Sequence, residues 1–186
     1  SFSDNETTTL SSSVLTLTRT DTITDNDGDV RSDSASIDLA TAITFADSAP
    51  SITVSATSVS SGEFLAADDD SLGTTVTSTF SDNFSLTSTA GGDGEDTTTT
   101  AYALSVSTSG ADSGLIDVLT GETVVLSVSS SGDVVGRTQT GNSLVFTVSV
   151  DASGTVALVQ SRAVEHSDSF SDNETTTLSS SVLTLT

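Results

Sequence analysis

An internal duplication without a mismatch sets the strongest limit on how this chain can fold. Residues 1–18 read SFSDNETTTLSSSVLTLT, and residues 169–186 repeat them at an offset of 168 residues. Self-similarity at a fixed period indicates a repeat array, and solenoid repeats measure only ~20–50 residues. Each period is therefore expected to fold as a domain of its own. A pair of expression tags is the alternative, but the strand-like composition of the segment argues against it.

Short stretches that alternate between apolar and polar residues predict β-strands. Every second residue of 144–150 is apolar, and the alternation resumes at Val156 and Leu158. Between them, the turn 151–154 places Gly154 where a positive φ is needed, so this region predicts a β-hairpin.

Similar alternation recurs along much of the chain and sets the fold class. The segments are Leu15–Leu17, Ile37–Leu39, Ile43–Phe45, Ile52–Ala56, Tyr102–Val106 and Val124–Val128. Thr and Val, which suit a pleated surface, are abundant in them. No helical periodicity stands out, and Gly, Asp and Ser occupy the turns. The sequence predicts an all-β protein with an antiparallel β-sandwich.

The position of the only proline suggests where one repeat ends. Pro50 interrupts any strand around it. We therefore expect residues 1–50 to be the C-terminal part of one repeat and residues 51–168 to be the main sandwich. Residues 169–186 then begin the next duplicated segment. The first fifty residues either pack with later ones in one sandwich or form a small sub-domain.

The net charge of the chain limits the classes of partner that it can bind. Twenty-six acidic residues face four arginines, and the formal net charge is −22. Phosphate contacts need basic residues, so nucleic acid is not an expected partner, nor is an anionic membrane surface. Bound divalent cations would relieve the self-repulsion, and Asp-rich clusters suit Ca²⁺. Since the chain has no cysteine, disulfides and zinc–thiolate sites are excluded.

The segment DNDGD is the strongest candidate metal site. Asp25, Asp27 and Asp29 alternate, and Gly28 allows a tight bend, so three carboxylates can surround one hard cation. It resembles the start of an EF-hand loop, but Ser36 stands where that loop has its final Glu. Distant residues would have to complete the ligand set. The alternative is a solvated acidic turn between two strands.

Other carboxylates are weaker candidates for calcium ligands. They are Asp33, Asp47, Asp68, Asp69, Asp70, Asp112, Asp117 and Glu122. For residues 68–70 a solvated charge run is an equal alternative. For residues 112–122 a network of Asx turns explains the spacing at least as well.

No catalytic motif supports an enzyme. His166 is the only histidine, and no G-x-S-x-G motif accompanies it. Serine is so abundant that one near His166 carries no information, because a catalytic triad is defined by geometry. We expect a protein without enzymatic activity.

Several ordered motifs resemble a known family of repeats. They are YALSVS, GADSGLIDVLTGE, VVLSVSSSGDVVGRT and LVFTVSVDASGTVALVQSRAVEH within residues 102–166, with the DNDGD segment and ITFADSAPSI before them. The chain resembles the long repeats of RTX adhesins that are exported by type I secretion. Nonapeptide GGxGxDxUx repeats are absent, so it is not similar to the secretion-signal end of those proteins.

The resemblance implies a fold, a location and a function. It implies immunoglobulin-like extracellular β-sandwiches on a bacterial cell surface, stiffened by calcium at Asp25, Asp27, Asp29 and Asp47. Such a unit would be a monomeric extender that contacts neighbouring repeats and projects an adhesive tip, with roles in cell adhesion and biofilms. Ser48-Ala49 departs from the family's usual junction, where another Asp or Gly is common. The alternative function is a module that binds carbohydrate, protein or ice, although copying favours spacing and aromatic residues make up only 4%.

Overall fold

The computed structural model describes residues 7–94, 97–166 and 174–186. Its strands are β1 Thr7–Thr9, β2 Thr16–Thr24, β3 Val30–Asp38, β4 Thr44–Ala46, β5 Ser51–Ala56, β6 Thr75–Thr79, β7 Phe84–Thr89, β8 Leu104–Val106, β9 Ala111–Ile116, β10 Thr123–Val128, β11 Val134–Thr138, β12 Leu144–Val150, β13 Thr155–Gln160 and β14 Leu183–Leu185. Three 3₁₀ turns, Ala40–Ala42, Asp69–Ser71 and Ser81–Asn83, supply the helical residues of this part of the chain. The predicted all-β fold is confirmed.

The chain folds into two compact units. Unit 1 comprises Ser1–Thr53 and Leu86–Thr98, and unit 2 comprises Val54–Ser85 and Thr99–Thr186. In unit 1, β1 pairs with β4 and β2 pairs with β3, both antiparallel. Strands β5 and β7 pair with each other. The predicted boundary of the natural repeat at residue 50 stays a prediction.

Unit 2 contains an antiparallel β-sandwich. Six strands run in the order β6-β13-β12-β11-β10-β9, and a second sheet of β14 and β8 packs against β10 and β11. The predicted hairpin is present as β12 and β13, with Val148 opposite Leu158 and Gly154 at a φ of 78°.

The hydrophobic core lies between the two sheets of unit 2. Its buried members are Leu104, Leu115, Val124, Leu126, Val134, Val145, Phe146, Val148, Val156 and Val164. Gly136 makes room for it, because the ring of Phe146 lies where a Cβ on Gly136 would stand. Burial of apolar side chains on alternate strand positions is the main source of stability of such a sandwich.

No helix in the described part of the chain is long and apolar enough to cross a membrane.

Candidate metal centre

The candidate site lies at the end of a long exposed hairpin. Strands β2 and β3 pair over their whole length, from Thr16 opposite Asp38 to Thr24 opposite Val30. One face carries Thr and Ser, whose hydroxyls meet across the strands: Thr22 Oγ1 and Ser32 Oγ lie 2.7 Å apart. β-Branched residues and cross-strand hydroxyl pairs both favour such a ribbon. The pairing brings the two ends of the DNDGD segment together.

Backbone hydrogen bonds fix the turn that joins these strands. The N–H of Asp25 donates to the carbonyl of Asp29 at 3.0 Å, and the N–H of Gly28 donates to the carbonyl of Asp25 at 3.2 Å. Asp29 N–H also donates to Asp25 Oδ1 at 2.9 Å. Gly28 has a φ of 100°, a conformation that costs little only for glycine. The turn therefore depends on the glycine that the sequence places there.

The turn groups three exposed carboxylates. One oxygen from each of Asp25, Asp27 and Asp29 lies within 4.8 Å of the others, and these three residues could hold a metal ion. A hydrogen bond with the Asp27 carboxyl, followed by one from the Asp29 N–H, holds the pKa of Asp25 below its usual value. Three hard oxygen donors fit Ca²⁺ or Mg²⁺ rather than a soft metal. Because calcium takes 6–8 oxygens, water or other residues would fill the remaining positions.

Two other predicted ligands of unit 1 lie outside this group of carboxylates. Asp33 faces Asp21 across the hairpin, and its Oδ1 accepts from the N–H of Ser34 at 2.9 Å. Asp47 is exposed, and its Oδ1 accepts from the N–H of Ser48 at 2.8 Å. Their predicted roles as ligands stay predictions.

The three consecutive aspartates of unit 2 form an exposed turn. Asp68 caps the 3₁₀ turn that contains Asp69 and Asp70, and its Oδ1 accepts from the N–H of Asp70 at 3.0 Å. Within the described residues, Asp25, Asp27 and Asp29 are the only set of three acidic or histidine side chains close enough to share an ion. The structure brings together no such set at 68–70.

The segment GADSGLIDVLTGE is part of the sandwich rather than one long loop. Residues 111–116 form strand β9, in which Ser113 and Leu115 are buried. Asp112 points outward and accepts from the N–H of Gly114 at 2.8 Å. Polar residues at buried positions disguised this alternation in the sequence. Ser113 is satisfied because its hydroxyl donates to the carbonyl of Val124 at 2.6 Å.

Glu122 holds the neighbouring β-turn. Its Oε2 accepts from the N–H groups of Gly141 at 2.9 Å and Thr140 at 3.0 Å. These bonds lower the pKa of Glu122, with that from Gly141 the larger influence. The carboxylate thus joins β10 to the connection between β11 and β12.

Asp117 forms a buried ion pair that the sequence did not predict. Its side chain is fully buried, and Arg162 Nε and Nη2 donate to its two oxygens at 2.7 Å each. The Thr120 hydroxyl donates to Oδ2 at 2.6 Å. Hydrogen bonds from Arg162 are the first cause of a pKa of Asp117 well below its usual value. A calcium ion at Asp117 would have to displace this arginine.

Comparison with known proteins yields one match. A family model described as "Domain of unknown function (DUF5801)" matches residues 64–186. No curated protein and no solved structure matches the chain significantly.

Proposed function

The chain belongs to the DUF5801 family, and from this premise we propose that it is a calcium-stabilised extender unit of a large extracellular adhesin. The observation that carries the calcium part is the group formed by Asp25, Asp27 and Asp29 at the tip of an exposed hairpin. The duplicated segment supports the extender part, because copied units lengthen a chain without adding recognition.

Calcium would act on the hairpin through charge. Without a cation, three carboxylates within 4.8 Å repel one another. A bound divalent ion would attract all three carboxylates, outweigh their mutual repulsion and link the end of β2 to the start of β3. Because the ion binds only the folded turn, its binding free energy stabilises the folded state.

The sign and size of the charge suit an extracellular setting. Sites in extracellular modules bind calcium at about 10⁻⁴–10⁻³ M, far weaker than cytosolic sensors. The exposed carboxylates, with only three protein side chains grouped, fit a weak site of that kind. A net charge of −22 would keep the chain extended and ion-poor before export. These features support a bacterial cell surface as the location of the proposed extender.

The alternative of a ligand-binding module has less support. Among the described residues, the rings of Phe84 and Tyr102 pack against each other with centroids 5.7 Å apart. Stacking on a sugar needs exposed aromatic faces, and in the described part of the chain each compact unit exposes a single phenylalanine, Phe45 in unit 1 and Phe64 in unit 2. Binding of this chain to immobilised glycans would overturn the ranking.

The extender function is tested by measuring the length of a protein that contains two consecutive repeats. Small-angle X-ray scattering should give a longer, narrower distance distribution in about 5–10 mM calcium than in chelator. That calcium concentration is about tenfold above the expected dissociation constant. The matched control replaces Asp25, Asp27 and Asp29 with Asn in both repeats, and its scattering should not change with calcium. An unresponsive wild-type protein would contradict the proposal.

A further inference from the structure

The duplicated segment occurs in two settings within this structure. Residues 7–18 and 175–186 have the same sequence. Their turns are also alike, with Ser13 at a φ of 67° and Ser181 at 62°. The strands that follow have different partners: Leu17 lies opposite Ile37 of β3, whereas Leu185 lies opposite Leu104 of β8. Local sequence fixes the turn, and the neighbouring strand differs.

The two copies also differ in what covers their apolar side chains. In the first copy Val14, Leu15 and Leu17 are 63%, 40% and 56% exposed. Their counterparts Val182, Leu183 and Leu185 pack against the hydrophobic core of unit 2. Since the side chains are identical, the second copy shows which surface the first copy is suited to cover.

Hydrogen bonding in the two copies uses opposite edges of the strand. In the first copy the carbonyl of Leu15 accepts from Leu39 N–H at 2.9 Å, so odd-numbered residues face β3. In the second copy Thr186 and Ala103 exchange two bonds, of 2.8 and 2.9 Å, so residues at even positions face β8. The offset of 168 is even, so the counterpart of Thr186 is Thr18, another even position. One strand can therefore hold both partners at once.

We infer that the duplicated segment is a strand shared between consecutive repeats. One of its edges pairs with β8 of the preceding repeat, and the other edge pairs with β3 of the repeat that the segment begins. The inference rests on the tandem arrangement in the proposed function. The register follows from the second copy: Leu15 would lie opposite Val106, and Leu17 opposite Leu104, of the preceding unit.

The shared strand would enlarge the smaller sheet of the preceding sandwich. That sheet has two strands, β14 and β8, against six in the larger one. Pairing on both edges gives the order β8-β2-β3. Residues directly opposite each other in a sheet share a face, so Ile37, 59% exposed and opposite Leu17, would extend over the same core. The partner is thus an apolar sandwich edge of a second copy.

The remaining contacts of the two copies do not compete. Thr7–Thr9 pair with β4 in the first copy, whereas the counterparts 175–177 form no strand. In the second copy the N–H of Ser179 donates to the carbonyl of Ser113 at 2.8 Å. Ser11, its counterpart, can make the same bond to a preceding unit while Thr7–Thr9 keep their pairing.

Displacing the second copy tests the inference on the 186-residue chain. In the variant Leu183→Asp/Leu185→Asp, the core edge should be taken by the first copy of another molecule. Light scattering after size exclusion should show association that rises with concentration, where the wild-type chain is a monomer. Adding Leu15→Asp/Leu17→Asp should abolish it. A folded variant that stays monomeric, or association that survives the second pair of substitutions, would overturn the inference.

A cross-link provides a second measurement if that variant does not fold. The chain has no cysteine. In a protein of two consecutive repeats, Ser105→Cys in the first repeat and Thr16→Cys in the second report the pairing that matches Thr184 opposite Ser105. In a separate variant, Thr18→Cys/Ser36→Cys in the second repeat reports the pairing of the same strand with β3. Oxidation should form both links nearly completely, whereas the matched pair of Ser105→Cys in the first repeat and Thr22→Cys in the second should not link. Formation of only one of the two links, or equal cross-linking of the control pair, would count against the shared strand. Neither readout needs calcium, so failure here leaves the calcium part of the proposed function standing.

Discussion

The molecule neutralises carboxylates in two contrasting ways. Asp117 is fully buried in unit 2 and has a protein cation, Arg162, on both of its oxygens. Asp25, Asp27 and Asp29 are exposed in unit 1, and no Lys or Arg within the described residues forms an ion pair with them. A buried charge needs a fixed partner because desolvation is costly, whereas an exposed cluster can depend on an ion from solution. We therefore expect the contribution of the Asp117–Arg162 pair to stability to be independent of calcium, and that of the Asp25, Asp27 and Asp29 cluster to depend on calcium.

The largest expected effect comes from breaking the buried pair. Asp117→Asn keeps the shape but leaves Arg162 without its counter-charge, and loss of one partner of a buried pair costs about 3 kcal/mol of unfolding free energy. Urea unfolding should show this loss equally with calcium and with chelator. Asp112→Asn, at an exposed position of β9, is the matched control, with a change of about 0.5 kcal/mol. A loss of stability that calcium restores would break the comparison.

Removing one carboxylate of the exposed triad should have a smaller effect that depends on calcium. At calcium 10- to 100-fold above the dissociation constant, binding adds about 1–3 kcal/mol to stability. Asp27→Asn should lose most of that increment in calcium. In chelator it should equal or slightly exceed the wild-type stability, because one repulsive charge is gone. A variant that loses the same stability in chelator would show that Asp27 supports the turn without an ion.

Low pH should reduce the difference in unfolding free energy between the wild-type protein and the Asp117→Asn variant. The folded-state pKa of Asp117 lies below its usual value of 3.8. Its stabilising contribution is therefore complete above that value and is lost as the pH falls toward the lower folded pKa. The gap between the unfolding free energies of the two proteins, measured from pH 5 to pH 3, should begin to narrow below about pH 4. Parallel curves for the two proteins would argue that Arg162 does not hold the charge of Asp117.

The smallest expected effect tests the turn beneath the triad. Gly28→Ala places a Cβ at a φ of 100° with nothing near it, so conformational strain of about 1 kcal/mol is the only cost. Calcium affinity should fall because the three carboxylates move apart. Gly62→Ala, also in open space but without a positive φ, is the control. Equal calcium affinity in both variants would show that the turn geometry does not matter.

The sequence was sufficient for the fold class and for the clearest hairpin. Alternation in residues 144–150 and glycine at 154 correspond to β12, β13 and the turn between them. Strand β9 was missed because a polar residue, Ser113, occupies a buried position within it and buried Asp117 directly follows it. Grouping of the triad was predicted because its three members are close in sequence.

The features that could not be predicted from the sequence are contacts between residues far apart in the chain. Arg162 lies 45 residues after Asp117, and no local pattern connects a carboxylate to an arginine at that distance. Likewise, nothing in the duplicated residues tells that one copy pairs with β3 and the other with β8. Such partners are set by the packing of the whole sheet.

Isothermal titration calorimetry with calcium tests most directly the central claim that the hairpin tip binds calcium. The wild-type chain should bind calcium with a dissociation constant of about 10⁻⁴–10⁻³ M. The variant Asp25→Asn/Asp27→Asn/Asp29→Asn should lose that binding while keeping its fold by circular dichroism. Calcium binding of equal strength by both proteins, or no binding by the wild-type chain, would contradict the assignment of the hairpin tip as a calcium site.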